Sequence, residues 1–499
     1  MRNFLNKYGV ALAIPFLFIL SFLTGFIYPG ENPGLLLKGT LGILFILLLL
    51  LAAALAAFYK KNKSLSYGLL LLFILMAAFV LKTEYILYTP TWVRQHDVVG
   101  AGAGFGQAAF IEYFCEKLRL IDFDPRKIWG FFQPPLHHMT AGLYLRLWTH
   151  IQGISYGQCF EALQGLTLFY SLMTGLVSYL FFRENGYRGK LLLMGAAFML
   201  LNPCFIQMAG SINNDILCIL LQLLAMYFFY RWMSSEELLQ LCLSALFLGL
   251  SMMAKLSAIM LAPPMGLILL YHLYLRIKNK GKLLPLLAEY MLFGLISVPL
   301  GIWSPVRNYL RFGVPLNYTP EVGESLAEYS LIERFFRLGE ELSPFIRLKS
   351  SGASYDEFNI LFSILKTGIF GEADFSAAFM GTFFGWIAVL SGAVLVILCL
   401  IAMLYSLKGV YGLRGEQLCF LNVYILFSVF FLLRLCISIP NFSSQDFRYI
   451  AHILLPAALL LLEFSKSSKW AAALVYAAGG IFIISSAWVY LFAGGLVWK

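Results

Sequence analysis

Two aspartates, each in a polar break between apolar segments, are the residues best placed for proton chemistry. Asp97 closes the stretch Thr91 to Asp97 (TWVRQHD) just after the third apolar segment, beside His96, and Asp215 sits in SINNDIL between the fifth and the sixth. Carboxylates that converge at one membrane face can act as a general base and a second acid, or can share a divalent cation. Helix capping is the plainer alternative, because Asp and Asn are favoured at helix N-termini and Asn213 and Asn214 precede Asp215.

Imidazoles and cations form the second set. His137 and His138 follow Pro134 and Pro135 where WGFFQPPLHH re-enters apolar sequence. A neutral imidazole can bind a metal, orient a carboxylate or donate to phosphate, and an interfacial histidine can also be no more than a satisfied polar residue. Lys255 interrupts an apolar hairpin, Arg307 and Asn308 follow the ninth apolar segment, Arg434 lies in the outer turns of the eleventh, and Arg448 and Tyr449 open the twelfth. Arginine offers phosphate two parallel hydrogen bonds, whereas snorkelling to headgroups is the competing use of any one such cation. Lys255 stands apart, since a charge inside an apolar run is costly in a bilayer and is usually functional.

These side chains must be positioned by membrane helices. The chain has 499 residues, 60% of them hydrophobic and only 12% charged, more apolar surface than a soluble core can hide. The expected fold is an all-α polytopic membrane protein. With about 20 residues needed per crossing, about thirteen spans are expected, near 8–28, 36–58, 66–88, 161–182, 191–210, 216–232, 238–254, 256–275, 285–303, 379–405, 417–438, 449–464 and 470–494. The first is expected to be an anchor, because its apolar run is longer than a signal peptide's and no small-x-small site follows. Six of the eight cysteines lie inside apolar segments, and no CxxC pattern or disulfide framework emerges.

Pro134 to Ile151 is apolar but short, and contains His137, His138, Arg146 and His150. Read as interfacial, it leaves every Lys/Arg cluster on one side, as the positive-inside bias requires. The N-terminus is then cytoplasmic and the C-terminus exterior, and two large loops, about 89–133 and 304–378, face outward. The net charge of +10 belongs to loops facing anionic lipid, and no basic, aromatic-interleaved stripe suggests nucleic acid. Four segments follow: two N-terminal spans (1–65), a catalytic membrane module with exterior loop 89–160 (66–303), an exterior loop with amphipathic helices (304–378) and C-terminal spans (379–499).

The ordered motifs QHDVVG, FFQPPLHHMTAGLY, LNPCFIQMAGSINNDIL, MMAKLSAIMLAPP, VRNYLRFGVPL and QDFRYIAHILLP resemble those of the GT-C glycosyltransferases. They are most similar to the family 39 group that contains protein O-mannosyltransferases and the lipid A aminoarabinose transferase, and the resemblance spans about residues 66–465. It implies a GT-C fold and inverting transfer of a monosaccharide from a polyprenyl-phosphate donor to a hydroxyl of a lipid, glycan or protein at the exterior face of the plasma membrane. It makes Asp97, beside His96, the catalytic base and Asp215 the second acid. Lys255, Arg307 and Arg448 would lie near the lipid phosphate, with Tyr449, Gln133, His137 and His138 completing the candidate donor site. His96-Asp97 stands where members often have Asp-Glu, and Gln133 where some have Lys. The resemblance fixes no cofactor, and a divalent cation on Asp97, Asp215 and His138 is left open.

Two other classes remain. A lipid or sugar transporter would place ionisable groups near the midplane, commonly in pseudo-symmetric repeats; here they gather at helix ends and no halves look alike. A ligase or polymerase of lipid-linked glycans would share the helices and differ in donor size.

Overall fold

The computed structural model describes residues 2–27, 33–64, 66–88, 101–316, 318–320, 325–339, 342–346, 357–409 and 412–492. The stretch TWVRQHD, with His96 and Asp97, lies outside them. Among the described residues every regular element is a helix, as expected where no water is available to satisfy backbone groups. Ten helices are long and apolar enough to cross a bilayer, and the pair Gly189–Leu200 and Pro203–Ala209, bent by 45°, makes an eleventh if counted as one broken span. The chain is a multi-span membrane protein. All thirteen expected segments fall on helices; length and hydropathy support ten or eleven crossings among the described residues and leave the count of thirteen unconfirmed. Leu238–Ala254 stops because Lys255, its C-cap, turns the backbone extended.

By packing, the chain divides into two units, Met1–Ile216 with Tyr490–Lys499, and Leu217–Val489. The first holds α1 (Arg2–Thr24), α2 (Pro33–Asn62), α3 (Tyr67–Tyr88), α4 (Gly106–Lys117), α5 (Leu136–Gln152), α6 (Tyr156–Cys159), α7 (Leu163–Glu184), α8 (Gly189–Leu200) and α9 (Pro203–Ala209). Here α1 packs tightly on α5 and α7. Phe22 stacks on Trp148 with centroids 4.5 Å apart, and a Cβ on Gly165 would come within 2.7 Å of the Ser21 carbonyl oxygen. Small residues permit such approach between membrane helices. Within Pro134 to Ile151 the helix α5 begins at Leu136, and it is not among the candidate spans.

The second unit holds α10 (Asp215–Ser235, its first two residues in the first unit), α11 (Leu238–Ala254), α12 (Ala262–Lys278), α13 (Leu283–Phe312), α14 (Leu331–Phe336), α15 (Ile360–Phe370), α16 (Gly381–Ser406), α17 (Gly415–Ser438), α18 (Leu454–Ser465) and α19 (Lys469–Phe492, entering the first unit at Tyr490). One difference from the expected boundaries matters. α13 continues to Phe312 with Pro299 and Pro305 inside it, so Arg307 and Asn308 lie on the helix instead of after it. The loop after α13 contains α14 and α15, begun by Ser330, whose side chain accepts from Glu333 N–H, and by Asn359, whose side chain accepts from Phe362 N–H.

Candidate active site

The polar loop before α5 folds into a small helical layer. Gly106 N–H donates to the Trp129 carbonyl at 2.8 Å, and Gly130 adopts φ +97° with its α-hydrogens against the Gly106 backbone, where any Cβ would approach to 2.6 Å. Glycine alone fits there. This contact seats Phe131 against Phe110, stacked at 4.8 Å, and Phe110 in turn stacks on His138 at 4.2 Å. His138 is fully buried and pairs through Nε2 with Gln107 Oε1. Glu112, also in this layer, accepts from Gly102 N–H, and burial pushes its carboxyl above the usual range.

The re-entry motif and SINNDIL come together within the first unit. Asn214 Nδ2 donates to Gln133 Oε1 at 3.2 Å. His137 is buried with neither ring nitrogen in a hydrogen bond. Burial lowers its pKa to about 4 against the pull of the Asp215 carboxylate in the opposite direction, so the imidazole is neutral near pH 7. Asn213 Oδ1 accepts Asp215 N–H at 3.2 Å; part of the capping that the sequence left open for Asp215 is thus carried by Asn213. Gln133, His137 and Asp215 belong to one cluster, while His138 turns to Gln107.

Lys82 was not singled out in the sequence. It lies on α3, completely buried, and its Nζ donates to Ser171 Oγ at 2.6 Å and to the Phe205 carbonyl at 3.2 Å. Ser171 Oγ donates to the same carbonyl at 2.6 Å, and Thr167 Oγ1 donates to the Ala209 carbonyl at 2.7 Å. The short α9 ends at Gly210, so its carbonyls need donors from outside the helix. Lys82 and two α7 hydroxyls supply them, fixing the segment that leads into SINNDIL. A lysine inside an apolar span, with Glu84 two residues on, was the available signal.

In the second unit Lys255 and Tyr449 meet, Nζ lying 4.5 Å from the ring centroid. Arg448 Nε lies 2.9 Å from Asp446 Oδ2, and Asp446 Oδ1 accepts Arg448 N–H. The QDFRY turn is tied to α15: Thr367 Oγ1 accepts Phe447 N–H at 3.0 Å, and Gln445 Nε2 donates to the Phe358 carbonyl. Behind this contact Lys366 and Glu357, 3% and 7% exposed, form an ion pair of 2.6 Å. Arg307 bonds its neighbour Asn308 at 3.0 Å, and Arg434 is exposed. Among the described residues no group of three or more His, Cys, Asp or Glu could hold a metal ion.

Residues 147–312 match the family model of dolichyl-phosphate-mannose-protein mannosyltransferases. The match covers about a third of the chain and includes Asp215, Lys255 and Arg307. A solved structure, the archaeal oligosaccharyltransferase AglB from Archaeoglobus fulgidus in complex with an inhibitory peptide and a dolichol-phosphate, is similar at 13% identity and a TM-score of 0.45 over 88% of this chain. The chain spans 56% of that protein's length. No curated protein sequence matches.

Proposed function

We propose that the chain is a membrane glycosyltransferase that moves a monosaccharide from a polyprenyl-phosphate donor to a hydroxyl of a protein, lipid or glycan. The observation that carries this reading is the mannosyltransferase family match, whose span holds Asp215, Lys255 and Arg307. Residues 66–303 are the catalytic membrane module. The N-terminus is cytoplasmic and the reaction runs on the exterior face of the plasma membrane, a placement supported by the distribution of Lys and Arg among the loops.

In this reading the acceptor hydroxyl attacks the anomeric carbon from the face opposite the phosphate, the C–O bond to phosphate breaks, and the sugar inverts. Asp97 takes the hydroxyl proton, with His96 beside it and Asp215 as the second acid, while the neutral His137 stands with the donor-site groups. Positive charge develops on the sugar and negative charge on the departing phosphate, so fixed cations lower the barrier. Lys255, with Tyr449 under its ammonium, and Arg448, oriented by Asp446, fill that role, with Arg307 contributing from α13.

The test is sugar release from radiolabelled polyprenyl-phosphate monosaccharides by purified wild type and by Asp97→Asn. Release that collapses in the variant is expected. Release indifferent to Asp97 overturns the assignment of the base, and activity confined to lipid-linked oligosaccharides would make the protein a ligase.

A further inference from the structure

A second charged site lies at the other end of the second unit's helices from Lys255. The stretch Leu256–Lys278 rises about 35 Å if helical throughout, and at its far end a cavity of about 600 Å³ opens among the α10–α11, α12–α13 and α16–α17 connections. His272 sits at its centre, with Nε2 2.9 Å from Glu416 Oε2 and Nδ1 3.7 Å from Glu236 Oε1. Each carboxylate also faces a guanidinium: Arg276 stands 3.2 Å from Glu236, and Arg414 3.1 Å from Glu416. Arg414 also donates to the Met233 carbonyl and Ser234 Oγ. None of these residues belongs to the proposed transfer chemistry.

The charge pattern limits what fits. Two guanidiniums and two carboxylates share one opening, with Arg276, Arg414 and Glu236 41%, 48% and 56% exposed. A simple anion would gain the arginines and be repelled by both carboxylates, and a simple cation would meet the reverse. A group carrying phosphate and a tethered primary ammonium satisfies both, since guanidinium forks phosphate and carboxylate accepts from ammonium. Beside the opening, Tyr274, Ile277 and Leu284 are 57%, 55% and 80% exposed on α12 and α13. In a bilayer such positions face acyl chains, and polar pockets between membrane helices suit lipid headgroups.

We infer that this cavity is a binding site for the headgroup of a zwitterionic phospholipid bearing a primary amine, its phosphate on Arg276 and Arg414 and its ammonium on Glu236 and Glu416. The site stands independently of the proposed transferase reaction. The same chemistry in water-soluble form is a glycerophosphate ester of ethanolamine, which separates headgroup recognition from a need for tails.

The test is native mass spectrometry of the full-length protein in detergent with equal amounts of phosphatidylethanolamine, phosphatidylcholine and phosphatidylglycerol. Phosphatidylethanolamine is expected to be retained over both others, by about tenfold for one well-made charged contact. Glycerophosphoethanolamine in large excess is expected to displace it, and no displacement at any excess overturns recognition through the headgroup. Glu236→Gln with Glu416→Gln should abolish the preference for phosphatidylethanolamine over phosphatidylglycerol, because the two carboxylates are the groups that accept from the ammonium. Equal retention of the three lipids by wild type overturns the inference without recourse to any variant, as does an undiminished preference in the double variant.

Discussion

Lys255 Nζ stands 4.5 Å from the centre of the Tyr449 ring. The two residues are nearly 200 positions apart, one at the break after α11 and the other in the turn before α18. The ring face offers the ammonium a favourable quadrupole, and in the proposed reaction this is the cation set against the departing phosphate.

Tyr449 is expected to split binding from folding. Tyr449→Leu removes the ring and should weaken donor binding by roughly 2- to 30-fold, the range of about 0.5–2 kcal/mol for such contacts. Tyr449→Phe keeps the ring but loses the hydroxyl's bond to the Ser443 carbonyl, so it should lower the thermal midpoint and leave donor KM near wild type. Donor titrations alongside thermal unfolding in detergent make the comparison, and equal KM for the two variants would remove the cation–π contact from donor binding.

At Lys82 the expectation is a coupling. Lys82→Met leaves Ser171 still bonded to the Phe205 carbonyl, and Ser171→Ala leaves Lys82 bonded to it. Only the double variant deprives that carbonyl of both donors, so it should cost about 1–3 kcal/mol beyond the sum of the singles. A double-mutant cycle by thermal unfolding reads this, and additive losses would show that the two donors act separately.

The buried Lys366–Glu357 pair makes a sharper prediction. Removing one partner, as in Glu357→Leu, strands a buried ammonium and should destabilise by about 3–5 kcal/mol, whereas Glu357→Leu with Lys366→Met should recover much of the loss. Chemical denaturation of the three variants tests it. Because α15 is bonded to the QDFRY turn, Glu357→Leu should also raise donor KM.

Acid should loosen the layer around α5. His137 falls to about 4 and His138 well below the usual imidazole range, both through burial. A depressed histidine binds its proton in the unfolded chain first, so stability present above about pH 6.5 is lost progressively as pH falls toward 4. The thermal midpoint of wild type should decline across that window. His137→Asn should flatten the upper part of the decline, and an unchanged slope would mean the imidazole is not buried in solution.

Hydropathy made the helical, many-span fold legible, because a bilayer leaves an apolar run of 20 residues few other conformations. The break at Lys255 could be read from a single charge in an apolar run. The end of α13 could not, since Pro305 and the polar Arg307 and Asn308 look like a terminus although the helix runs on to Phe312. Among site residues, Gln133, His137 and Asp215 were readable as polar islands between apolar segments. Lys82 was passed over because its partners are a serine hydroxyl and a backbone carbonyl, which no charge pattern announces. The different fates of His137 and His138 depend on Phe110 and Gln107, about 30 residues upstream.

The first helix has a practical meaning. Gly25, just after the helix, leaves no room for a side chain, because a Cβ there would come within 2.4 Å of the Trp148 ring, and Phe22 stacks on that ring. A protein trimmed to begin at α3 would keep every residue assigned to chemistry yet present Tyr144 and Trp148 as a bare aromatic face. Such a fragment should aggregate on extraction from the membrane, and supplying α1 as a separate peptide should rescue it, which makes the amino-terminal helix a detachable handle on the folding of α5.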